Sequence, residues 1–329
     1  MSNYLVTGVA GFIGNRVAEL LLSAEHTVTG IDDLNDAYDV RLKQWRLNRL
    51  LSNPDFSFYK ADISQCTAVE EVILRTQEKT SRFDAVINLA ARAGVRQSVE
   101  NPWVYMDSNL TGTLNLLELS RRNDIPKFIL ASTSSVYGSN APLPTPETAS
   151  SDKPLQSYAA SKKAAEVLCY TYHFLYGIDI TIFRYFTVYG PAGRPDMSMF
   201  RFTQWINEGR TVKVHGDGNQ SRGFTYIDDI ARGSILGLKN LGYEIINLGG
   251  HETITINQLI HRLEQALGLP AKIEYLPPHP ADMQANWANV EKATELLGWV
   301  PETSLDVGIQ NLVTWYHAER QWASVIHTT

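Results

Sequence analysis

Tyr4-Leu-Val-Thr-Gly8-Val-Ala-Gly11-Phe-Ile-Gly14 lies near the N-terminus. A strand pattern, Tyr4–Thr7, runs into three glycines spaced by two residues. A helix pattern follows over Phe12–Ser23, with Phe12, Ile13, Val17, Leu20 and Leu21 on one stripe. A strand that turns through glycine into a helix presents backbone N–H groups to a diphosphate, so the stretch predicts a bound dinucleotide. The spacing departs from the generic Gly-x-Gly-x-x-Gly, and a plain strand–turn–helix is the alternative reading. Asp32 ends the next strand pattern, Val28–Ile31, eighteen residues after Gly14. A carboxylate there accepts both ribose hydroxyls of adenosine and repels a 2′-phosphate, which favours NAD over NADP. Asp62-Ile63, after a third strand at Ser57–Lys60, are placed to flank adenine.

Further strands are expected at Ala85–Leu89, Phe128–Ser132 and Ile180–Arg184, with helices between them, including Val69–Gln77 and Met106–Arg122. Such alternation predicts an α/β fold: a Rossmann-type doubly wound parallel sheet covered on both faces. The pattern loosens after Tyr185 into glycine- and proline-rich segments. We expect an NAD-binding domain over 1–186, with 224–250 returning to it through a strand at Ile245–Leu248. A smaller, mixed α/β substrate-binding region is expected over 187–223 and 251–329.

The chain has 329 residues, 44% of them apolar, and a formal charge of −6. These values are those of an ordinary globule and argue against nucleic acid or an anionic membrane as partner. No apolar run reaches membrane length. Two cysteines, Cys66 and Cys169, make no disulfide framework, and no basic segment leads into an apolar one at the N-terminus, so the cytoplasm is the expected compartment. The acceptor patterns at Asn109-Leu110-Thr111 and Asn219-Gln220-Ser221 are therefore read as coincidental. The eight histidines show no metal-ligand spacing, and no metal is expected.

Tyr158 and Lys162 form the chain's one Tyr-x-x-x-Lys pair, four residues apart on a helix and so on one face. A phenol titrates near pH 10, but a neighbouring ammonium and a positive nicotinamide favour its anion. Alone the pair is a weak signal. It gains weight from its place after the fifth strand and from the hydroxyl cluster Ser132-Thr133-Ser134-Ser135 upstream. Tyr158 is then a base at an alcohol carbon, Lys162 its cation, and Thr133 a hydrogen-bonding partner of the reacting oxygen.

The chain resembles an extended short-chain dehydrogenase/reductase, and within that group the UDP-glucuronate 4-epimerases, over almost its whole length. Asp32–Asp39, Leu89–Arg96, Ser132–Gly138, Arg184–Met197 and Arg222–Asp229 carry the likeness. Thr187 to Met197 is the most specific part, because related hexose epimerases, decarboxylases and dehydratases carry Asn where Thr187 stands. The 4,6-dehydratases place an Asp-Glu pair where Ser134 and Ser135 stand, so the acid that expels a C6 hydroxyl is missing.

The resemblance implies a tightly held NAD, contacted by Gly8, Gly11, Phe12, Ile13, Gly14, Asp32, Asp33, Asn35, Asp62, Ile63, Leu89, Ala90, Ala91, Ser108, Tyr158, Lys162 and Tyr185. It implies a UDP-sugar held by Arg96, Thr133, Ser134, Ser135, Thr187, Arg194, Arg222 and Asp282, with Arg222 on the diphosphate, Asp282 on the uridine ribose and Arg194 on the uronate carboxylate. The implied activity is C4 epimerisation of UDP-glucuronate to UDP-galacturonate through a 4-keto intermediate, in a homodimer. A UDP-glucose or UDP-N-acetylglucosamine 4-epimerase and a UDP-glucuronate decarboxylase are the enzyme alternatives. A non-catalytic NAD sensor or scaffold is the alternative of another class. Three residues depart from the family pattern: Arg92 stands in place of Gln, Gly223 of Asp, and Ala281 of Gly.

Overall fold

Seven parallel strands form the main sheet, in a computed structural model that describes residues 1–78, 82–250, 252–278 and 284–328. They are β1 (Asn3–Thr7), β2 (Thr27–Asp32), β3 (Phe56–Lys60), β4 (Ala85–Asn88), β5 (Lys127–Thr133), β6 (Asp179–Tyr185) and β10 (Tyr243–Leu248), in the order β10-β6-β5-β4-β1-β2-β3. The six expected strands and the returning seventh are all present. β1, β4, β5 and β6 are buried almost throughout, as strands covered on both faces must be. β1 pairs with β2 on one side and β4 on the other, and the connections run outward in opposite directions from there. Ligands of open α/β sheets bind in the crevice at that reversal, outside the carboxyl ends of the strands.

The second region is built on β7 (Thr187–Tyr189), β8 (Thr211–His215), β9 (Ser221–Tyr226), β11 (Glu252–Thr255), β12 (Lys272–Leu276) and β13 (Ala285–Asn286). β9 pairs with β7, β11 and β13; β12 pairs with β8. β9 stays in the small sheet as far as Tyr226, so the chain returns to the large sheet's flank with the helix Ile227–Leu236. A separate apolar core lies here, including Phe200, Phe224, Leu259, Leu312 and Trp315.

The helix expected over Met106–Arg122 is divided. Met106–Thr111 is a π-helical turn and Gly112–Arg122 continues as α-helix. Side-chain periodicity does not register one inserted residue, and π-turns concentrate at functional sites.

Candidate functional site

Gly8 ends β1 with φ +70°, and a Cβ there would stand 2.7 Å from the backbone N of Ala90. The strand end, the β4 loop and the helix Phe12–Ser23 therefore meet only because that residue lacks a side chain. Cβ atoms at Gly11 and Gly14 would meet the Gly8 carbonyl at 2.8 and 2.2 Å. The turn is a bare backbone cradle at a helix N-terminus, the form a dinucleotide diphosphate requires. Thr7 ties it to β4: its hydroxyl donates to Asn88 Oδ1 (2.8 Å) and accepts from Ala90 N (3.2 Å).

Asp32 is buried, and its carboxylate accepts from Ala10 N (3.1 Å) and Leu34 N (2.9 Å). Burial pushes its carboxyl upward, and the Lys43 ammonium, 4.0 Å away, opposes that. Asp33 accepts from the amide of Asn35, and Asn35 Oδ1 accepts from Lys43 Nζ (2.9 Å). Asp62 is exposed and caps its own turn through Ser64 N (2.8 Å), while Ile63 is buried against Gly112. Leu89 and Ala90 are half-buried beside the glycines, Ala91 is exposed, and Ser108 is half-buried in the π-turn. The residues fit a dinucleotide: a glycine cradle and a desolvated carboxylate lie at the ends of adjacent strands.

Thr133 closes β5, and Tyr158 lies at the start of the helix Ser157–Tyr176. The Thr133 hydroxyl lies beside the Tyr158 phenol and favours its anion. The Tyr158 ring packs edge-on against Tyr105, centroids 6.1 Å apart. Burial pushes the phenol up, and the Thr133 hydroxyl and the Arg194 charge pull it back. Arg194 thus brings to this oxygen a cation that the Tyr-x-x-x-Lys pattern does not signal. Lys162 is buried and donates to Ala131 O (2.8 Å); burial brings its ammonium down to about 8.

That depression has a cost measurable in the ligand-free protein. The free lysine value is 10.5. Below about pH 8 both folded and unfolded chains carry the charge, and the desolvation penalty is complete. It fades as pH rises from 8 to 10.5, where the folded chain sheds the proton first. Lys162→Met is therefore expected to raise ligand-free stability at pH 7 by ~1–3 kcal/mol while abolishing turnover. Denaturant melts at pH 7 and pH 10 check it; a less stable variant at pH 7 overturns it.

Ser135 and Ser134 line the same strand end: Ser135 Oγ accepts from Thr133 Oγ1 (3.2 Å) and Ser134 Oγ from Asn286 Nδ2 (3.2 Å). Thr187 opens β7 opposite Phe224. Arg194 is paired side-on with Asp196, Nε to Oδ1 at 3.0 Å. Arg222 sits on β9 and donates to Ser221 O (2.7 Å), and Arg96 is exposed before the short helix Gln97–Glu100. The Tyr185 hydroxyl is spent on Ser234 Oγ (2.7 Å), leaving its backbone at the carboxyl end of β6. Asp282 and Ala281 lie outside the described residues. Gly223 has a packing reason: a Cβ there would be 2.5 Å from Gly250 Cα, so the Asp of the family pattern has no room.

Two residues that the sequence reading overlooked hold these pieces together. Asn109 is fully buried in the π-turn; its amide accepts from Arg92 N (2.9 Å) and donates to Arg92 O (3.0 Å) and Ser161 Oγ (2.9 Å). It fastens the β4 loop to the helix carrying Tyr158, and its acceptor pattern is inaccessible. Arg46 is buried and donates to Ala10 O (3.1 Å) and Ala192 O (2.6 Å), joining the glycine turn to the loop that carries Arg194.

Residues 4–249 match the NAD dependent epimerase/dehydratase family. The chain is 58% identical to the UDP-glucuronate 4-epimerase of Thermodesulfobacterium geofontis, over 96% of each protein. A Tyr-to-Phe variant of the Bacillus cereus UDP-glucuronic acid 4-epimerase, solved with UDP-4-deoxy-4-fluoro-glucuronic acid and NAD, superposes with a TM-score of 0.89. It is 36% identical, over 96% of this chain and 99% of that one. The Thermotoga maritima UDP-glucose 4-epimerase, solved with UDP-glucose, gives a TM-score of 0.87 at 32% identity, over 97% and 99%. Cradle, carboxylate, phenol and buried ammonium thus lie in a chain that belongs to the NAD dependent epimerase/dehydratase family.

Proposed function

We propose that this protein is a UDP-glucuronate 4-epimerase that interconverts UDP-glucuronate and UDP-galacturonate with NAD. The observation that carries the reading is the Thr133 hydroxyl beside the Tyr158 phenol, with two serines following, on the same sheet as the glycine cradle. The 58% identity to a protein of that name supports it. NAD held by the glycine turn and Asp32 would supply the hydride acceptor and donor for the sugar's C4. Tyr158 takes the C4 hydroxyl proton and returns it to that oxygen once the 4-keto sugar has turned its other face to the cofactor. Thr133 orients the phenol, and Lys162 pins its helix to Ala131 while offering a charge beside the cofactor.

The 4-keto uronate is a β-keto acid, which loses CO2 when its C–CO2 bond lies parallel to the carbonyl π system. Ser134, Ser135, Thr187 and Arg194 are the groups assigned to hold the carboxylate out of that alignment. Asp196 pairs side-on with Arg194 and so fixes its guanidinium. Arg222 is assigned to the substrate diphosphate and Asp282 to the uridine ribose, with Arg96 beside the sugar. The dinucleotide side is assigned to the glycine turn with Phe12 and Ile13, and to Asp32, Asp33 and Asn35. Asp62, Ile63, Leu89 to Ala91, Ser108 and the Tyr185 backbone complete it.

Incubation with UDP-glucuronate, UDP-glucose and UDP-N-acetylglucosamine, followed by NMR, tests the reading. UDP-galacturonate is the expected product; a UDP-pentose, or turnover of the neutral sugars alone, overturns it.

We also infer a homodimer. Val167, Tyr170 and Phe174 on the helix Ser157–Tyr176 are 54–75% exposed, and Leu114 on the neighbouring helix Gly112–Arg122 is 39% exposed. An apolar stripe on two neighbouring helices marks an association face. Light scattering is expected to give twice the chain mass, and a monomer removes the inference. Among the described residues no helix is long and apolar enough to cross a membrane, and both cysteines are free thiols. A cytoplasmic location accords with the thiols.

A further inference from the structure

Arg92 lies in the loop after β4, next to the strand that ends in the glycine turn. Its backbone is fixed on both sides by Asn109. Its side chain is not comparably served. Nε is buried with no hydrogen-bond partner among the described residues. Nη1 reaches Asn35 Oδ1 at 3.5 Å, the outer limit of a hydrogen bond. That oxygen already accepts from Lys43 Nζ (2.9 Å) and Ala37 N (3.1 Å), so its two lone pairs are taken. The guanidinium also faces the Tyr105 phenol. A guanidinium with a buried, unpartnered Nε is costly unless something else completes its bonding.

Its position says what completes it. At one end stands Asn35, which donates to Asp33 and accepts from Lys43, the ammonium beside Asp32. At the other stands Tyr105, whose ring packs on Tyr158. A dinucleotide laid from the ribose-reading carboxylate Asp32 to the phenol Tyr158 crosses Arg92 in its middle. The middle of a dinucleotide is its diphosphate. A guanidinium matches phosphate oxygens with paired N–H donors, where a glutamine amide offers no charge.

We propose that Arg92 is a further cofactor-binding residue, its guanidinium taking a diphosphate oxygen of the dinucleotide opposite the glycine turn. The assignment rests on the NAD-binding reading. It makes cofactor retention in this chain dependent on charge. Lys43 stands one residue away, across Asn35, and holds that amide oriented.

The test is calorimetric titration of ligand-free wild type, Arg92→Gln and Arg92→Lys with NAD, ADP-ribose and adenosine at two salt concentrations. Arg92→Gln is expected to weaken NAD and ADP-ribose by about tenfold each, the scale of one charge-assisted hydrogen bond. Adenosine, which lacks phosphate, should bind as before. The salt dependence of NAD binding should fall in Arg92→Gln and persist in Arg92→Lys. Unchanged NAD affinity in Arg92→Gln overturns the assignment, and so does an equal loss for adenosine, which would mean that Arg92 only shapes the ribose pocket. Wild type that binds no NAD would instead overturn the cofactor reading on which the assignment stands.

Discussion

Tyr158→Phe is expected to lower kcat for C4 epimerisation by roughly 10²–10⁴, the contribution of a positioned general base. The ring survives the substitution, so its edge-on contact with Tyr105 and the helix start remain as they are. What goes is the phenol oxygen that the Thr133 hydroxyl and the Arg194 charge both favour as an anion. Resident NAD and the melting temperature should therefore be unchanged. Burial holds the phenol above its ordinary value in the ligand-free chain, so the competent, ionised form is scarce at neutral pH. The wild-type rate should climb with pH on the acid side, and the residual rate of the variant should lack that limb. Product analysis by NMR across pH supplies both readings. A variant turning over at the wild-type rate removes Tyr158 from the mechanism.

The strands were legible because each is a short apolar run bounded by turn residues. The glycine turn was legible because its steric demand admits no other residue at Gly8. Local pattern carries that much. Lys43, Arg46 and Asn109 were not legible, for a physical reason. Lys43 and Arg46 lie on the helix Val40–Leu51, whose several basic residues read as a solvated face. They are buried because carbonyls and amides from Ala10, Asn35 and Ala192 arrive from other parts of the chain. Asn109 carries no motif except an irrelevant acceptor pattern, and the π-turn that holds it leaves side-chain periodicity unchanged. Asp196 was in plain view two residues from Arg194, yet spacing does not tell a side-on ion pair from a solvated carboxylate. Catalytic groups announce themselves by type and order; the groups that orient them are fixed by tertiary contacts.

Glu166→Leu is expected to destabilise the fold by ~3–5 kcal/mol, because it leaves a buried guanidinium without its partner. Glu166 and Arg184 have side chains only 1% and 2% exposed, and they meet side-on: Arg184 Nη2 to Oε2 at 2.7 Å and Nε to Oε1 at 2.9 Å. Ser132 donates to the same carboxylate at 2.6 Å, and Arg184 lies 4.7 Å from the Tyr137 ring centroid. Burial alone would raise the Glu166 carboxyl, but Arg184 and Ser132 outweigh it and hold the carboxyl below its ordinary value. A depressed carboxyl stabilises the fold above the unfolded value and ceases to as pH falls through the folded one. The gap between wild type and Glu166→Leu should therefore be largest at neutral pH and narrow below the ordinary Glu value of 4.5. Replacing both partners with apolar residues should recover much of the loss, since no lone charge then stays buried. Denaturant melts at pH 7 and pH 4 decide the matter, and a loss under ~1 kcal/mol at pH 7, the scale of an exposed pair, overturns it. The consequence reaches the chemistry. Ser132 adjoins Thr133, and Glu166 lies one helical turn beyond Lys162, so this pair sets the end of β5 against the helix that carries the base. Turnover in Glu166→Leu should fall even at temperatures where the variant remains folded.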